Sequence, residues 1–293
     1  MSEFRTITAR DGRALEVLTA GPAGGIPLVF HFGTPSAAAE YAPMVGAAVE
    51  RDLWFVTYSR PGYGDSARRP DRTVAQCTED VADITQALAI DRFVTAGWSG
   101  GGPHALACAA LLPARVQACA TIAGVAPYLA GGLDWLAGMG AENVEEFGAA
   151  VAGGADLRGH LEAQALALAD VTGEQVADAL GDLIPEVDRG ALTGEFAEFM
   201  ATDFRKAVGN GIWGWFDDDL AFVRDWGFDL GAIRLPVTVW QGSHDRMVPF
   251  AHGQWLAAHV PDARARLSDG HGHLSLIASL EEILDDLLAG VER

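Results

Sequence analysis

The feature that most constrains the fold is an alternation of strand-like and helix-like segments, interrupted once by a long block without strands. Short apolar runs such as residues 53–58 alternate with helical patterns such as residues 74–88, for which Thr73 is the expected N-cap. The alternation resumes near Pro236 and continues to the last helix. Strands that alternate with helices predict an α/β fold, with a mostly parallel central sheet flanked by helices.

The turn chemistry and the periodicity together assign the individual elements. Asp11-Gly12 between the first two strands is a hairpin signal. The predicted strands are residues 4–8, 15–19, 27–32, 53–58, 92–96, 116–123, 236–240 and 263–267. The predicted helices are residues 38–50, 74–88, 104–112, 157–169, 195–208, 250–259 and 275–288.

The block without strands covers residues 127–231 and contains helical segments and glycines. We therefore predict one α/β core, built from residues 1–126 and 232–293, with a helical cap inserted over residues 127–231. A length of 293 residues is compatible with a single core of this kind. An insertion above the carboxyl edge of a parallel sheet is placed to act as a lid over a binding site.

Charge and cysteine content exclude several classes of protein. The formal net charge is −20, and such an acidic surface repels nucleic acids and anionic membranes, so we expect neither as a partner. Cys77, Cys108 and Cys119 form neither a disulfide framework nor a metal-ligand pattern, and we expect no metal and no cofactor. No apolar stretch resembles a signal peptide or reaches membrane-spanning length, so we expect a cytoplasmic protein that acts on a small molecule. The oligomeric state is left open.

The strongest local motif is Gly97-Trp98-Ser99-Gly100-Gly101, which lies between a predicted strand and a predicted helix. This G-x-S-x-G pattern is typical of a sharp strand-to-helix turn that lifts the serine hydroxyl clear of the sheet. Glycines are needed because side chains on either side of the serine would collide across the turn. The alternatives are a flexible glycine loop or a phosphate cradle. The phosphate-binding spacings G-x-x-x-x-G-K-[ST] and G-x-G-x-x-G are both absent.

A serine is a weak nucleophile unless a base removes its proton, and with this motif the acid and the histidine follow the serine in that order. His273 is the predicted base, because it lies between the last predicted strand and the last helix. His271 is the alternative, and the two histidines could also be exposed loop residues or a weak metal pair. Asp245 is the predicted acid that holds the imidazole, although an aspartate at this place could equally cap the next helix.

Acyl transfer also needs two N–H donors directed at the developing oxyanion. The N–H of Gly100, next to the nucleophile, is one predicted donor. The second is expected from the loop that follows the strand at residues 27–32, with Thr34 preferred and Phe32 as the alternative. An ordinary strand-end turn would explain the composition of this loop equally well. Phe32 and Trp98 are predicted to contact the substrate.

Five motifs in this order resemble the α/β-hydrolase superfamily with a lid, as in esterases, proline iminopeptidases and C–C bond hydrolases. They are the loop at residues 31–35, the segment at residues 59–66, the Ser99 turn, and the segments at residues 242–249 and 270–276. The resemblance implies the fold and the Ser-Asp-His triad. Members that open epoxides or remove halide carry aspartate where this chain has Ser99. The resemblance therefore implies a serine hydrolase of carboxylic esters with an acyl-enzyme intermediate.

Several alternatives remain open on the same fold, namely a C–C bond hydrolase, a lactonase, a peptidase, an acyltransferase, or a non-catalytic ligand-binding protein. A proline iminopeptidase would need an acidic pocket for the substrate amine. The run at residues 217–219 and Glu195 could supply one, but such a run more often forms a solvated helix face, which we expect here. Aromatic residues in the cap are expected to pack mainly in the core; they are Trp213, Trp215, Phe216, Phe222, Trp226 and Phe228.

Overall fold

An eight-stranded sheet with the strand order β1-β2-β4-β3-β5-β6-β7-β8 forms the centre of the protein. The computed structural model describes residues 2–291. β1 and β2 pair antiparallel, as do β2 and β4, and the remaining pairs are parallel. The strands are β1 Glu3–Thr8, β2 Ala14–Ala20, β3 Ile26–His31, β4 Leu53–Tyr58, β5 Phe93–Trp98, β6 Val116–Ile122, β7 Val237–Gly242 and β8 Arg264–Ser268. The predicted α/β class and mostly parallel sheet are confirmed.

Side chains that alternate along the central strands pack into two apolar layers, one on each face of the sheet. Leu28 of β3 packs in one layer with residues such as Met44, whereas its neighbour Val29 packs in the opposite layer with residues such as Ile84. Successive side chains of a strand point to opposite faces, so a strand buried on both faces is apolar throughout. All six residues of β4 are accordingly buried.

Helices cover both layers of the core. They are α1 Ala42–Val49, α2 Cys77–Ala87, α3 Gly102–Leu111, α10 Phe250–His259 and α11 Leu280–Ala289. Thr73 precedes a short 3-10 turn that leads into α2, and its N–H donates to Gln76 Oε1 at 3.0 Å, as in a capping box.

The predicted start of the first helix at residue 38 is wrong, because α1 begins at Ala42. Pro43 occupies the first turn, and a proline ring cannot follow a preceding helical turn without a clash. The N–H groups of Ala37 and Ala38 instead donate to the Asp203 carboxylate at 2.9 Å and the Ser59 hydroxyl at 2.8 Å. Tertiary partners therefore replace helical hydrogen bonds in this segment.

Between the end of β6 and the start of β7 the described chain contains helices and no strand; we call residues 123–236 the helical insertion. Its helices are α4 Ala141–Ala152, α5 Gly154–Leu168, α6 Gly173–Ala179, α7 Glu186–Ala191, α8 Gly194–Val208 and α9 Trp213–Phe222. The limits of the cap at residues 127 and 231 stay a prediction. None of the helices within residues 2–291 has the length and apolar character needed to cross a membrane.

Candidate active site

Ser99 lies at the turn between β5 and α3, with its backbone in the left-handed region at φ +56°. An L residue adopts this region only when the surrounding structure enforces it. A Cβ on Gly97 would collide with the carbonyl group of Gly101 across the turn. The two glycines of the motif are therefore required by close backbone approach, and the hydroxyl-bearing side chain remains partly accessible.

His273 and Asp245 form a buried hydrogen-bonded pair, with Nδ1 of the histidine 2.8 Å from Oδ2 of the aspartate. This contact leaves Nε2 of the ring as the nitrogen that can serve another partner. Ser99 and His273 line the same cavity. The neighbouring His271 makes a different contact, from its Nδ1 to the Ser268 hydroxyl at 2.6 Å.

The carboxylate of Asp245 is held by its own loop as well as by the histidine. Its Oδ1 accepts hydrogen bonds from the N–H groups of Met247 and Val248 at 2.9 and 2.8 Å, and the Gln241 amide donates to Oδ2 at 2.8 Å. The residue thus organises the turn before α10 and orients His273 at the same time. Asp245 therefore has both of the roles that its position in the sequence suggested: it stabilises the turn before the helix, and it is the partner of the imidazole.

Burial and charge act in opposite directions on this pair. Burial raises the pKa of Asp245, and the adjacent His273 offsets this only in part. Burial lowers the pKa of His273, but the charge and hydrogen bond of Asp245, with a contribution from Asp188, outweigh it, so the His273 pKa lies above its ordinary value. Asp245 is therefore the main cause that raises the His273 pKa.

Asp188 of α7 positions the loop that carries His273, and the sequence analysis did not identify it. Its fully buried carboxylate accepts hydrogen bonds from three consecutive N–H groups, those of His273, Leu274 and Ser275, at 2.8, 3.0 and 2.8 Å. A Cβ on Gly272 would overlap this carboxylate, which explains the glycine before the histidine. No local pattern around residue 188 signals a partner that lies 85 residues away.

The loop after β3 passes directly beside Ser99. A Cβ on Gly33 would stand 3.2 Å from the Cβ of Ser99 and 3.7 Å from its Oγ. On the other side of the turn, a Cβ on Gly100 would overlap the side chain of Thr34. Thr34, Gly100 and Ser99 are therefore brought together, and Thr34 and Gly100 both line the cavity.

Arg60 fixes the conformation of this loop. Its guanidinium donates to the carbonyl oxygens of Phe32 and Gly33 at 2.6 and 2.5 Å and to the Thr34 hydroxyl at 2.9 Å. In a trans peptide the N–H points opposite to the C=O. The N–H groups of Gly33 and Thr34 are consequently directed away from Arg60. The sequence analysis noted the segment around Arg60 without assigning it a role.

Asp218 of α9 holds Arg60 in place. The carboxylate accepts from Arg60 at 2.7 Å and from Arg72 at 2.6 Å, and the Thr34 hydroxyl donates to it at 3.0 Å. Burial alone would raise its pKa, but the charges of the two arginines reverse this and hold the Asp218 pKa well below its usual range. Asp218 is therefore a buried anion whose charge is balanced by the two arginines.

The expected solvated face for the run Asp217 to Asp219 is wrong, because all three side chains are buried. Successive residues of a helix point about 100° apart, so the three carboxyl groups meet different surroundings. Asp217 pairs with Arg68 at 2.8 Å, Asp218 supports Arg60, and Asp219 lines the cavity beside Ser99. Glu195, the other acidic candidate in this block, is exposed.

Apolar side chains form most of the cavity wall. Phe32 and Trp98 line it, and Trp98 also stacks on the His273 ring with the centroids 5.8 Å apart. Of the six aromatic residues of the insertion named from sequence, Trp215 and Phe222 line the cavity. Within residues 2–291, no group of three or more His, Cys, Asp or Glu side chains is arranged to hold a metal ion.

Comparison with known proteins places this arrangement in a family. Residues 26–279 match the family model described as alpha/beta hydrolase fold. A non-heme chloroperoxidase of Streptomyces lividans is 26% identical over 98% of this chain and 99% of its own length. A pimeloyl-[acyl-carrier protein] methyl ester esterase of Xanthomonas oryzae pv. oryzae is 30% identical, with 93% and 96% covered.

A solved structure shows the same fold at lower sequence similarity. A hydrolase from Pseudomonas aeruginosa PA01 superposes with a TM-score of 0.69 at 20% identity, with 98% of both chains covered. The family match spans most of the chain, from the first parallel strand to the segment that follows His273. The chain therefore belongs to the alpha/beta hydrolase fold family, and its enzyme class is that of a hydrolase.

Proposed function

We propose that the protein hydrolyses carboxylic esters of small molecules through a Ser99-His273-Asp245 triad and an acyl-enzyme intermediate. The observation that carries the proposal is the buried 2.8 Å hydrogen bond between His273 Nδ1 and Asp245 Oδ2, because His273 lines the same cavity as Ser99. A serine, a histidine and an orienting carboxylate in these relations are the parts that acyl transfer requires.

In the first half of the reaction, Ser99 Oγ attacks the ester carbonyl carbon while Nε2 of His273 takes the hydroxyl proton. Asp245 holds the ring in the tautomer with Nδ1 protonated and stabilises the imidazolium that forms. The imidazolium then gives its proton to the leaving alkoxide, which departs as an alcohol. In the second half, His273 takes a proton from water as the water oxygen attacks the acyl carbon, and it returns that proton to Ser99 Oγ as the bond from Oγ to the acyl carbon breaks and the acid leaves.

The N–H groups of Gly100 and Thr34 are the proposed oxyanion donors. Gly100 follows the nucleophile and lies at the start of the turn into α3, where the helix dipole favours negative charge. The Thr34 N–H is supported by the orientation of its peptide group, whose carbonyl, that of Gly33, is bound by Arg60. Phe32, the alternative donor of the loop, contributes its side chain to the cavity wall.

The choice of ester hydrolysis rests on the relatives as well as on the site. One relative is named a methyl ester esterase and another a non-heme chloroperoxidase. Ester hydrolysis needs only the triad, two N–H donors and water, all of which the described arrangement accommodates. Phe32 and Trp98 are the proposed substrate contacts, because both are apolar and adjoin the reacting groups.

A fluorophosphonate probe, located by peptide mass spectrometry, tests the nucleophile. We expect the adduct on Ser99, with labelling lost in Ser99→Ala and in His273→Ala and retained in the matched control His271→Ala. Hydrolysis of a panel of 4-nitrophenyl esters should show the same pattern. A folded protein that labels elsewhere or not at all would contradict the proposal, and oxidation of chloride by hydrogen peroxide without esterase activity would assign the other named reaction.

A further inference from the structure

One polar group in the cavity has no use in the proposed chemistry, namely the carboxyl group of Asp219. The residue is fully buried, it lines the cavity with Ser99, and within residues 2–291 no backbone, amide, hydroxyl or cationic group donates a hydrogen bond to either of its oxygens. A buried polar group without a partner is costly, and native proteins rarely keep one without a reason. A carboxyl group on a cavity wall that lacks such donors keeps acceptor capacity for a partner that enters the cavity.

Glu146 of α4 completes a carboxyl pair with Asp219. Its Oε1 accepts a hydrogen bond from Trp215 Nε1 at 2.9 Å, and its carboxyl group lies within hydrogen-bonding reach of Asp219. Two carboxyl groups in contact bond to each other only by sharing a proton. Glu146 also lines the cavity, and a single shared proton leaves acceptor oxygens of the pair unsatisfied.

Asp219 lies on the same face of α9 as Phe222, a residue that approaches the proposed oxyanion site. Trp215, Asp219 and Phe222 are spaced i, i+4 and i+7 on α9, which places them on one face, and all three line the cavity. Phe222 approaches Gly100 closely, since a Cβ on Gly100 would stand 3.1 Å from its ring. Asp219 is about 4.5 Å from Phe222 along the helix axis.

The charges around the cavity narrow the class of ligand. Four acidic residues line it, and none of the described lining residues is a lysine or an arginine; the acidic residues are Glu142, Glu146, Asp203 and Asp219. A carboxylate on the ligand would be repelled at this wall. Arg60 and Arg72, the nearby cations, are engaged by Asp218 behind the wall. The site therefore disfavours anionic substrates.

We propose that Asp219 and Glu146 form a subsite that binds a hydroxyl group of the substrate, so that the enzyme selects hydroxyl-bearing esters over their alkyl counterparts; this inference rests on the proposed function. A hydroxyl group both donates and accepts, which matches a carboxyl pair that shares one proton. An ammonium group has only donors and would have to displace that proton. Burial raises the pKa of both Asp219 and Glu146 above the usual range, which favours retention of the shared proton.

Matched ester series test the selectivity. In one series the acyl chain of a 4-nitrophenyl ester ends in a methyl, hydroxyl, ammonium or carboxylate group, and in the other the alcohol part carries these groups. In at least one series we expect kcat/KM for the hydroxyl member to exceed that for the methyl member by roughly 2- to 12-fold, the range of one buried hydrogen bond. The carboxylate member should be the poorest substrate.

Two variants with different hydrogen-bonding capacity identify the residue responsible. Asp219→Asn keeps a donor and an acceptor and should retain the hydroxyl preference, whereas Asp219→Leu lacks both and should lose it while still hydrolysing the methyl member. Because the preference is a ratio within one protein, a change in the amount of folded enzyme does not alter it. An unchanged ratio in Asp219→Leu, or no preference for the hydroxyl member in either series, would overturn the proposal.

Binding to Ser99→Ala separates this inference from the proposed function. Calorimetry with the hydroxyl and methyl members should show tighter binding of the hydroxyl ester to Ser99→Ala and equal binding of both to the Ser99→Ala/Asp219→Leu double variant. If this binding pattern is found but the wild-type protein hydrolyses none of the esters, ester hydrolysis is refuted and the hydroxyl subsite is supported. Tighter binding of the ammonium member than of the hydroxyl member would replace the subsite by a cation site and refute the inference.

Discussion

Arg60 in the core and Asp218 in the helical insertion form a fully buried ion pair, with Nη2 and Oδ2 2.7 Å apart. The same guanidinium binds the carbonyl oxygens of Phe32 and Gly33, on the loop beside Ser99. The insertion therefore determines the conformation of a core loop that carries a proposed oxyanion donor. A defect on α9 should thus appear in catalysis as well as in stability.

The variant Asp218→Asn tests this coupling. Removing one partner of a buried pair leaves uncompensated charge, and we expect a loss of about 3–5 kcal/mol in the free energy of unfolding. A displaced oxyanion donor should in addition lower kcat by at least about tenfold. Urea denaturation and ester kinetics, measured at a temperature where the variant is folded, give the two quantities.

The matched control for this variant is Asp217→Asn, which removes the adjacent carboxylate with its pairing to Arg68 and its longer contact of 3.4 Å with Arg72, but leaves Arg60 and its bonds to the loop in place. The Asp217→Asn variant should have a lower free energy of unfolding than the wild type but should keep the wild-type kcat. The Asp218 pKa is depressed in the folded protein, so its stabilisation is present in full above about pH 4 and disappears as the pH falls through the folded pKa. Equal kcat in both variants would contradict the coupling.

The pH dependence of kcat/KM should follow the deprotonation of His273. The His273 pKa is raised above its ordinary value of 6.5, and only the neutral ring acts as a base. Activity should therefore rise with pH through a midpoint above 6.5. Asp245→Asn removes the main cause of the increase, so its midpoint should move to lower pH while kcat falls by about 10⁴. His271→Ala serves as the control, with the midpoint unchanged.

Asp188→Asn should impair the loop that carries His273. An amide keeps one acceptor oxygen but turns an NH2 group toward backbone N–H groups, so the geometry of three hydrogen bonds is disturbed. We expect kcat to fall by about tenfold. Because the Asp188 charge is one of the causes that raise the His273 pKa, the midpoint of the pH profile should also decrease.

Glu186→Gln provides the matched comparison for this variant, since Glu186 is an exposed acidic residue on the same helix α7. It should leave both kcat and the midpoint as in the wild type. A lower thermal midpoint for Asp188→Asn with an unshifted pH profile would reduce Asp188 to a structural residue.

Gly33→Ala should reduce the reactivity of Ser99 with little effect on folding. The added Cβ would stand 3.2 Å from the Cβ of Ser99, tighter than ordinary contact, and the loop would have to move away from the nucleophile. We expect fluorophosphonate labelling to slow by at least about tenfold. Gly46→Ala on α1 is the control, because nothing lies within 4 Å of its Cβ and alanine favours the helix. Equal labelling rates in both variants would contradict a close approach of this loop.

Local patterns were sufficient to predict most of the fold. β4 at Leu53–Tyr58 and α10 at Phe250–His259 have the predicted bounds, because an apolar run between turn residues and a helical pattern after Pro249 are local signals. The start of α1 was missed, since the N–H groups of Ala37 and Ala38 bind residues far away in the chain. No window of sequence around them contains those partners.

In the candidate site, too, the residues with local motifs were predictable, and the residues that act through distant contacts were not. Ser99, Asp245 and His273 stand in short motifs at strand ends. The structure brings His273 and Asp245 into contact, and His273 and Ser99 line one cavity. Asp188 and Arg60 act through hydrogen bonds to distant backbone groups; Asp188 lies in no motif, and the motif at residues 59–66 does not indicate which groups Arg60 binds. For Asp217 and Asp218, charge alone predicted exposure to solvent, whereas both are buried because another part of the chain supplies arginines that pair with them.

The residues of the helical insertion also limit how this enzyme can be recombined with its relatives. Asp188 and Asp218 support the core loops of His273 and Thr34, while Asp219, one position further, faces the cavity. A chimera that receives the insertion of a homologue would change its substrate preference. It would also lose the support of both core loops if that insertion lacked these two aspartates. Transfer of selectivity between homologues is therefore expected to succeed when the graft retains aspartates at positions 188 and 218, and position 219 is the one to diversify in a library.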